Sequence, residues 1–110
     1  MTSRFKDDME EILNEMSDLV DDWEKHSNEL AEEETTFKAW QAGQKKALID
    51  SGDSAAKAEV SVQAEPEWSI RYLKVQKMQI QDQVWKRKMA IADKAFDAER
   101  SREATLRNIR

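Results

Sequence analysis

The residues of this chain that could perform acid–base or metal chemistry are a single histidine, His26, and four glutamates within residues 29–34. Cysteine is absent, which excludes a thiol nucleophile, a cysteine-ligated zinc site and a disulfide. Glutamates on facing helices can bind two iron ions, but such bundles also need Glu-x-x-His pairs. Position 23, three residues before the histidine, is Trp. The sequence therefore predicts a protein that is not an enzyme and has no metal and no cofactor.

The second chemical feature is a division of charge along the chain. Residues 1–51 hold 14 acidic and 6 basic residues, whereas residues 68–110 hold 5 acidic and 11 basic residues. Complementary charges on two helices favour their pairing and set their orientation, which is our main interpretation. A nucleic-acid contact is an alternative, because basic residues on one face bind phosphates. Its candidates are Lys86, Arg87, Lys88, Arg100, Arg102 and Arg107.

The acidic half supports a third hypothesis. An acidic face can imitate the phosphates of a nucleic acid and so inhibit a host nucleic-acid-binding complex, for example one that acts in host defence. The acids on this face are Asp7, Asp8, Glu11, Glu15, Asp18 and Asp22. The overall charge of −5 and the pI near 5.0 disfavour direct binding of nucleic acid.

The composition predicts long helices. The chain of 110 residues has only 2 glycines and 1 proline, the residues that most often mark turns, and 37% of its residues are charged. Residues 1–16 contain no apolar core of a signal peptide, and no run approaches the ~18 apolar residues of a membrane span. We expect a single-domain, all-α, cytoplasmic protein that makes no membrane contact.

The first half has an apolar pattern in which residues recur at alternating spacings of four and three. This spacing is typical of a helix that buries one stripe in a coiled-coil-like seam. The pattern predicts a helix over residues 4–50, interrupted in its apolar character by His26, Glu33 and Gln44. Its seam residues are Phe5, Ile12, Met16, Leu19, Trp23, Leu30, Phe37 and Trp40.

The second half predicts a helix over residues 66–108, with Pro66 at its first position. Residues 51–65 are expected to form a connector, in which residues 54–59 form a short helical turn or stay mobile. The two helices then form an antiparallel hairpin, with Trp68 close to Trp40 or Leu48. The seam residues of the second helix are Trp68, Val75, Met78, Trp85, Met89 and Phe96.

The second helix carries a further apolar stripe at the same spacing. We interpret it as adjacent to the seam, so that the apolar arc is wider than one partner helix can cover. The stripe predicts a homodimer in which two hairpins form a four-helix bundle. The interface residues of this prediction are Ile70, Leu73, Ile80, Val84, Arg87 and Ile91.

The segment PEWSIRYLKVQKMQIQDQVWKRKMAIADKAFDAERSREATLR resembles the short helical accessory proteins of tailed bacteriophages. The resemblance covers residues 66–107 and lies in overall texture, without a diagnostic motif. It implies a phage accessory factor that binds another protein, such as a recombinase, a single-strand-binding protein or a host defence complex. The nucleic-acid alternative becomes a phage recombination or replication factor under this resemblance.

Overall fold

The structure, a computed structural model, describes residues 2–109, and side chains are described for residues 8–109. Three helices account for most of these residues: α1 (Thr2–Asp50), α2 (Ala55–Gln63) and α3 (Pro66–Ile109). The described residues contain no strand. The prediction of an all-helical chain is therefore confirmed.

Helix α1 ends in a glycine cap. The N–H of Gly52 donates to the carbonyl of Ile49 (3.0 Å), and the N–H of Asp53 donates to the carbonyl of Leu48 (3.1 Å). These two bonds form a Schellman motif, whose turning residue adopts a left-handed conformation. Gly52 has φ 113° and lacks the Cβ that would make this conformation costly. The seryl Oγ of Ser51 also donates to the carbonyl of Leu48 (2.8 Å).

The connector contains a helix rather than a single turn. Ser54 caps α2, since its extended backbone lets its Oγ accept a hydrogen bond from the N–H of Lys57 (3.2 Å). Helix α2 extends to Gln63, four residues past the turn considered from sequence, and α3 begins at Pro66. Proline fits this first position because a helix leaves its first N–H groups without intrahelical acceptors.

The chain divides into two compact units, and α1 and α3 contribute residues to both. The terminal unit comprises Met1–Lys25 and Asp82–Arg110, and the connector unit comprises His26–Gln81. In the connector unit Gln41 bonds to Trp68 and Glu34 to Gln79, so α1 and α3 run antiparallel there. In the terminal unit Trp23 bonds to Asp82, whereas Met9 lies beside Phe96, which also indicates antiparallel helices.

Deep burial is confined to the connector unit. Ala58, Val62 and Val75 are the described side chains that are buried, and two of them belong to α2. Because α1 and α3 are the other helices of this unit, α2 provides a third packing surface that a pair of helices lacks. The seam residues elsewhere are half-buried. Two helices side by side enclose little volume, which accounts for the small core.

We expect Gly52→Ala to lower the free energy of unfolding by about 1 kcal/mol, because alanine adopts a positive φ only with strain. The matched control is Gly43→Ala inside α1, which should raise the same quantity by ~0.5–1 kcal/mol through helix propensity. A Cβ at either position meets no atom within 4 Å, so the difference isolates backbone conformation. Urea denaturation at equal protein concentration provides the measurement, and an equal effect of both substitutions would contradict the cap.

Candidate interaction surface

Polar contacts join α1 and α3 across the connector unit. The indole Nε1–H of Trp68 donates to Oε1 of Gln41 (3.1 Å), and the amide of Gln79 donates to Oε1 of Glu34 (3.1 Å). The ammonium of Lys74 lies 2.8 Å from Oε1 of Glu33. These bonds require particular residues to be opposite each other. They therefore fix the register of the two helices more narrowly than apolar contacts would.

His26 also crosses between these helices. Its Nε2 lies 2.9 Å from the carbonyl oxygen of Met78. A carbonyl can only accept, so Nε2 carries the hydrogen in this contact. The polar interruptions at His26 and Glu33 are thus explained by partners on α3. Gln44 is half-buried, and the structure does not assign it a bonding role.

An aromatic cluster occupies the start of α3. The rings of Trp68 and Tyr72 stack with centroids 4.7 Å apart, and the ring of Phe37 lies 6.0 Å from that of Trp68. From sequence Trp68 was expected near Trp40 or Leu48. Its described contacts on α1 are with Phe37 and with Gln41, the residue that follows Trp40. One turn further along α3, Arg71 lies over the ring of Trp40 at 5.4 Å.

The terminal unit is held by a similar polar contact. The indole Nε1–H of Trp23 donates to Oδ1 of Asp82 (2.9 Å). An open groove of about 550 Å³ lies between Met9 on α1 and the segment of α3 that begins at Phe96. Arg100 and Glu103 both line the groove, so its charge is mixed.

The seam predicted from sequence can be placed residue by residue. All of its members with described side chains are half-buried, except Val75, which is buried. On α1 these are Ile12, Met16, Leu19, Trp23, Leu30, Phe37 and Trp40, and on α3 they are Trp68, Met78, Trp85, Met89 and Phe96. The side chain of Phe5 lies outside the described residues.

The second stripe of α3 is exposed, but it is not adjacent to the seam. In the connector unit Ile70, Leu73 and Ile80 are 64%, 52% and 65% exposed, and we call these three residues the ridge. Leu73 precedes buried Val75 by two positions, and two positions correspond to about 200° around a helix. Leu73 and Ile80 therefore lie on the side of α3 that faces away from α1. The interpretation of a single wide arc was wrong in this respect.

The other predicted interface residues belong to the terminal unit. Ile91 is 68% exposed and Arg87 is exposed, whereas Val84 is half-buried. Val84 is thus less available to a partner than the sequence pattern indicates.

The candidate nucleic-acid contacts all lie on the terminal part of α3. Lys88 lies over the ring of Trp85 (4.6 Å), Arg100 lies over the ring of Phe96 (5.8 Å), and Arg102 pairs with Glu99 (3.2 Å). These contacts bind three of the cations to their own helix. All six of the candidate cations are exposed.

The acidic face of α1 is exposed at Glu11, Glu15, Asp18 and Asp22, and Asp8 is half-buried. The side chain of Asp7 lies outside the described residues. Two apolar residues of α1 were not identified from sequence. Leu13 and Val20 are 48% and 45% exposed and lie seven residues apart on one face. The seven-residue spacing in the sequence could have revealed them.

Ion pairs between helices are few despite the division of charge. Among the described side chains, Lys74–Glu33 joins α3 to α1 and Lys45–Glu59 joins α1 to α2, and both belong to the connector unit. In the terminal unit the ion pair between described side chains is Arg102–Glu99, which lies within α3. Asp82 and Arg102 each have a further partner. The acids and bases of the terminal unit therefore mostly face water.

The described residues contain no group of three or more His, Cys, Asp or Glu side chains that could hold a metal ion. Within the same residues, no helix is long and apolar enough to cross a membrane.

No protein-family model, curated protein or solved structure matches this chain. The fold defines an all-helical protein with exposed apolar and charged helix faces. A proposal about function therefore rests on these faces.

The bond between Gln41 and Trp68 can be tested by a double-mutant cycle. Gln41→Leu should lower the free energy of unfolding by about 1–2 kcal/mol, since it leaves the half-buried indole N–H without its acceptor. In a Trp68→Phe background the same change should cost less by about 1 kcal/mol, because no donor remains. Urea denaturation of the four proteins gives the coupling energy, and a coupling near zero would show that the bond does not contribute.

Proposed function

We propose that this chain is a non-enzymatic helical interaction protein whose first partner is a second copy of itself. The observation that carries the proposal is the ridge, the three large apolar side chains that α3 exposes on the side facing away from α1. Isolated exposed apolar residues are common on protein surfaces, but several large ones on one helix face are typical of an interface. A helical partner fits a row with this spacing.

The ridge explains why the expected complex is modest in strength. Burying the exposed part of three such side chains on each of two copies contributes roughly 7 kcal/mol. The loss of translational and rotational freedom costs ~4–15 kcal/mol. At the lower end of this cost about 3 kcal/mol remains, which corresponds to association at millimolar concentrations unless further contacts contribute. A partner on the ridge also leaves α3 between α1 and the incoming helix, which differs from the four-helix bundle expected from sequence.

The resemblance to phage accessory proteins leads to a second element of the proposal. A small helical protein that first dimerises can then present its remaining charged faces to another protein. In this proposal the further partner is a protein of the replication, recombination or defence machinery, and the phage origin rests on the resemblance over residues 66–107 alone.

Substitution of the ridge by carboxylates tests the proposal. Leu73→Asp with Ile80→Asp should weaken self-association by more than about 100-fold, because two charges would need to be desolvated at the contact. Both residues are exposed, so the helix content should remain that of the unsubstituted protein. Sedimentation velocity between ~20 µM and ~2 mM measures the change, since a net free energy of a few kcal/mol corresponds to a Kd in the millimolar range.

Thr35→Asp with Ala42→Asp serves as the matched control. These residues are exposed on α1 of the same unit, and the substitutions add the same charge. The control should associate as the unsubstituted protein does. Equal loss in both variants would show that net charge, and not the ridge, governs association. A ridge variant that associates normally would exclude the ridge as the interface.

A further inference from the structure

The terminal unit carries two helix faces whose charges are opposite. On α1, exposed acids lie on the same face as exposed apolar residues, at spacings of three and four: Glu10, Leu13, Ser17, Val20 and Glu24 form the acidic strip. On α3, Arg87 and Lys94 lie four residues before and three residues after exposed Ile91, and these three form the basic strip. The acidic strip places Leu13 and Val20 between two acids, and the basic strip places Ile91 between two bases.

The strips do not neutralise each other within one chain. None of their charged residues belongs to an ion pair between described side chains. Leu13, Val20 and Ile91 are all more than two-fifths exposed, so their apolar surface also faces water. The described side chains of the terminal unit include no buried residue. This unit thus offers two uncovered faces that carry opposite charges and exposed apolar side chains.

We infer that the terminal unit docks on the terminal unit of a second copy, with the acidic strip of one copy covering the basic strip of the other. A second copy supplies the required chemistry, since each strip needs apolar residues together with the opposite charge. Electrostatic complementarity of this kind governs specificity and the rate of encounter more than affinity. The contact is separate from the ridge, so it extends the proposed self-association to another surface.

The contact joins the acidic strip of one copy to the basic strip of another copy. Because these are different faces, the contact is heterologous. Heterologous contacts close into rings or continue as open chains, whereas a contact between identical faces ends at the dimer. The strips consequently predict species larger than a dimer at high protein concentration. These species should diminish as salt is raised, because exposed charges are screened over ~8–10 Å at 0.10–0.15 M ionic strength.

Charge reversal with mixing tests the inference. The acid-reversed variant is Glu10→Lys with Glu24→Lys, and the base-reversed variant is Arg87→Glu with Lys94→Glu. Each should weaken association at least ~10-fold when alone, because it opposes like charges. An equimolar mixture should associate at least ~10-fold more tightly than either variant alone, since each then meets an opposite charge. Sedimentation velocity at low salt measures both effects, with the Leu73→Asp, Ile80→Asp substitutions included to remove the ridge.

Off-strip reversals control for net charge. Glu11→Lys with Asp18→Lys, and Lys86→Glu with Arg107→Glu, change the same charges at exposed positions outside the strips. Mixing these two variants should give no gain in association. A similar gain in the control mixture, or no gain in the strip mixture, would overturn the inference. Loss on base reversal but not on acid reversal would also overturn it, and would favour a partner such as nucleic acid.

Circular dichroism verifies that each variant keeps its helix content. If a reversed variant loses helix, Glu10→Gln with Glu24→Gln and Arg87→Gln with Lys94→Gln replace it, since they remove charge without opposing like charges. Each neutral variant should then weaken association and reduce its salt dependence. Unchanged association in both neutral variants would overturn the docking contact, whereas weaker association in both would support it. If the ridge substitutions leave association unchanged, that result contradicts the proposed function and does not bear on the docking contact.

Discussion

A pair of helices can turn only one face of each helix toward the other, and this limit governs the packing of the protein. Seam side chains as large as Trp23 and Trp85 remain half-buried, because two helices leave both sides of their contact open. Full burial is reached at Ala58 and Val62, in the unit to which a third helix belongs. The small core follows from the number of helices that meet, and not from a shortage of apolar residues.

Half-burial also explains why polar residues are compatible with the seam. A hydrogen bond between half-buried groups avoids most of the cost of desolvation, and the donors and acceptors across the helix pair are matched. Both Trp23 and Trp68 donate their indole N–H to a side chain on the opposite helix. Apolar contacts tolerate a shift of one helix along the other more readily than these bonds do. The polar contacts therefore define the register that the apolar seam supports only loosely.

The sequence predicts much of this arrangement because helical periodicity is a local property. Low glycine and proline content, the heptad spacing and the proline at position 66 suffice to predict the long helices and their seams. The hydrogen-bond partner of Trp68 could not be predicted, since helical spacing assigns residues to a face but does not fix the register of one helix along the other. The exposed pair Leu13 and Val20 was missed because only two residues form the pattern, among many acids.

The direction of the second stripe required the structure for a related reason. A spacing of three and four residues identifies a face but does not say at what angle that face lies from the seam until the seam is located. Once Val75 is known to be buried, the position of Leu73 follows from the helical rotation of about 100° per residue. This angle changes the expected complex, because a partner on the far side of α3 cannot also contact α1 as it would in a compact bundle.

The charges along α3 add a constraint on which partners this face accepts. An uninterrupted row of isoleucines would associate with almost any apolar surface, whereas Lys77 lies between Leu73 and Ile80 and is exposed. A partner that covers Leu73 and Ile80 must therefore also leave this ammonium in water or place an acid beside it, since a buried unpaired charge is costly. Apolar surface supplies the free energy of association, and the interspersed cation disfavours partners that would bury it without water or an acid beside it.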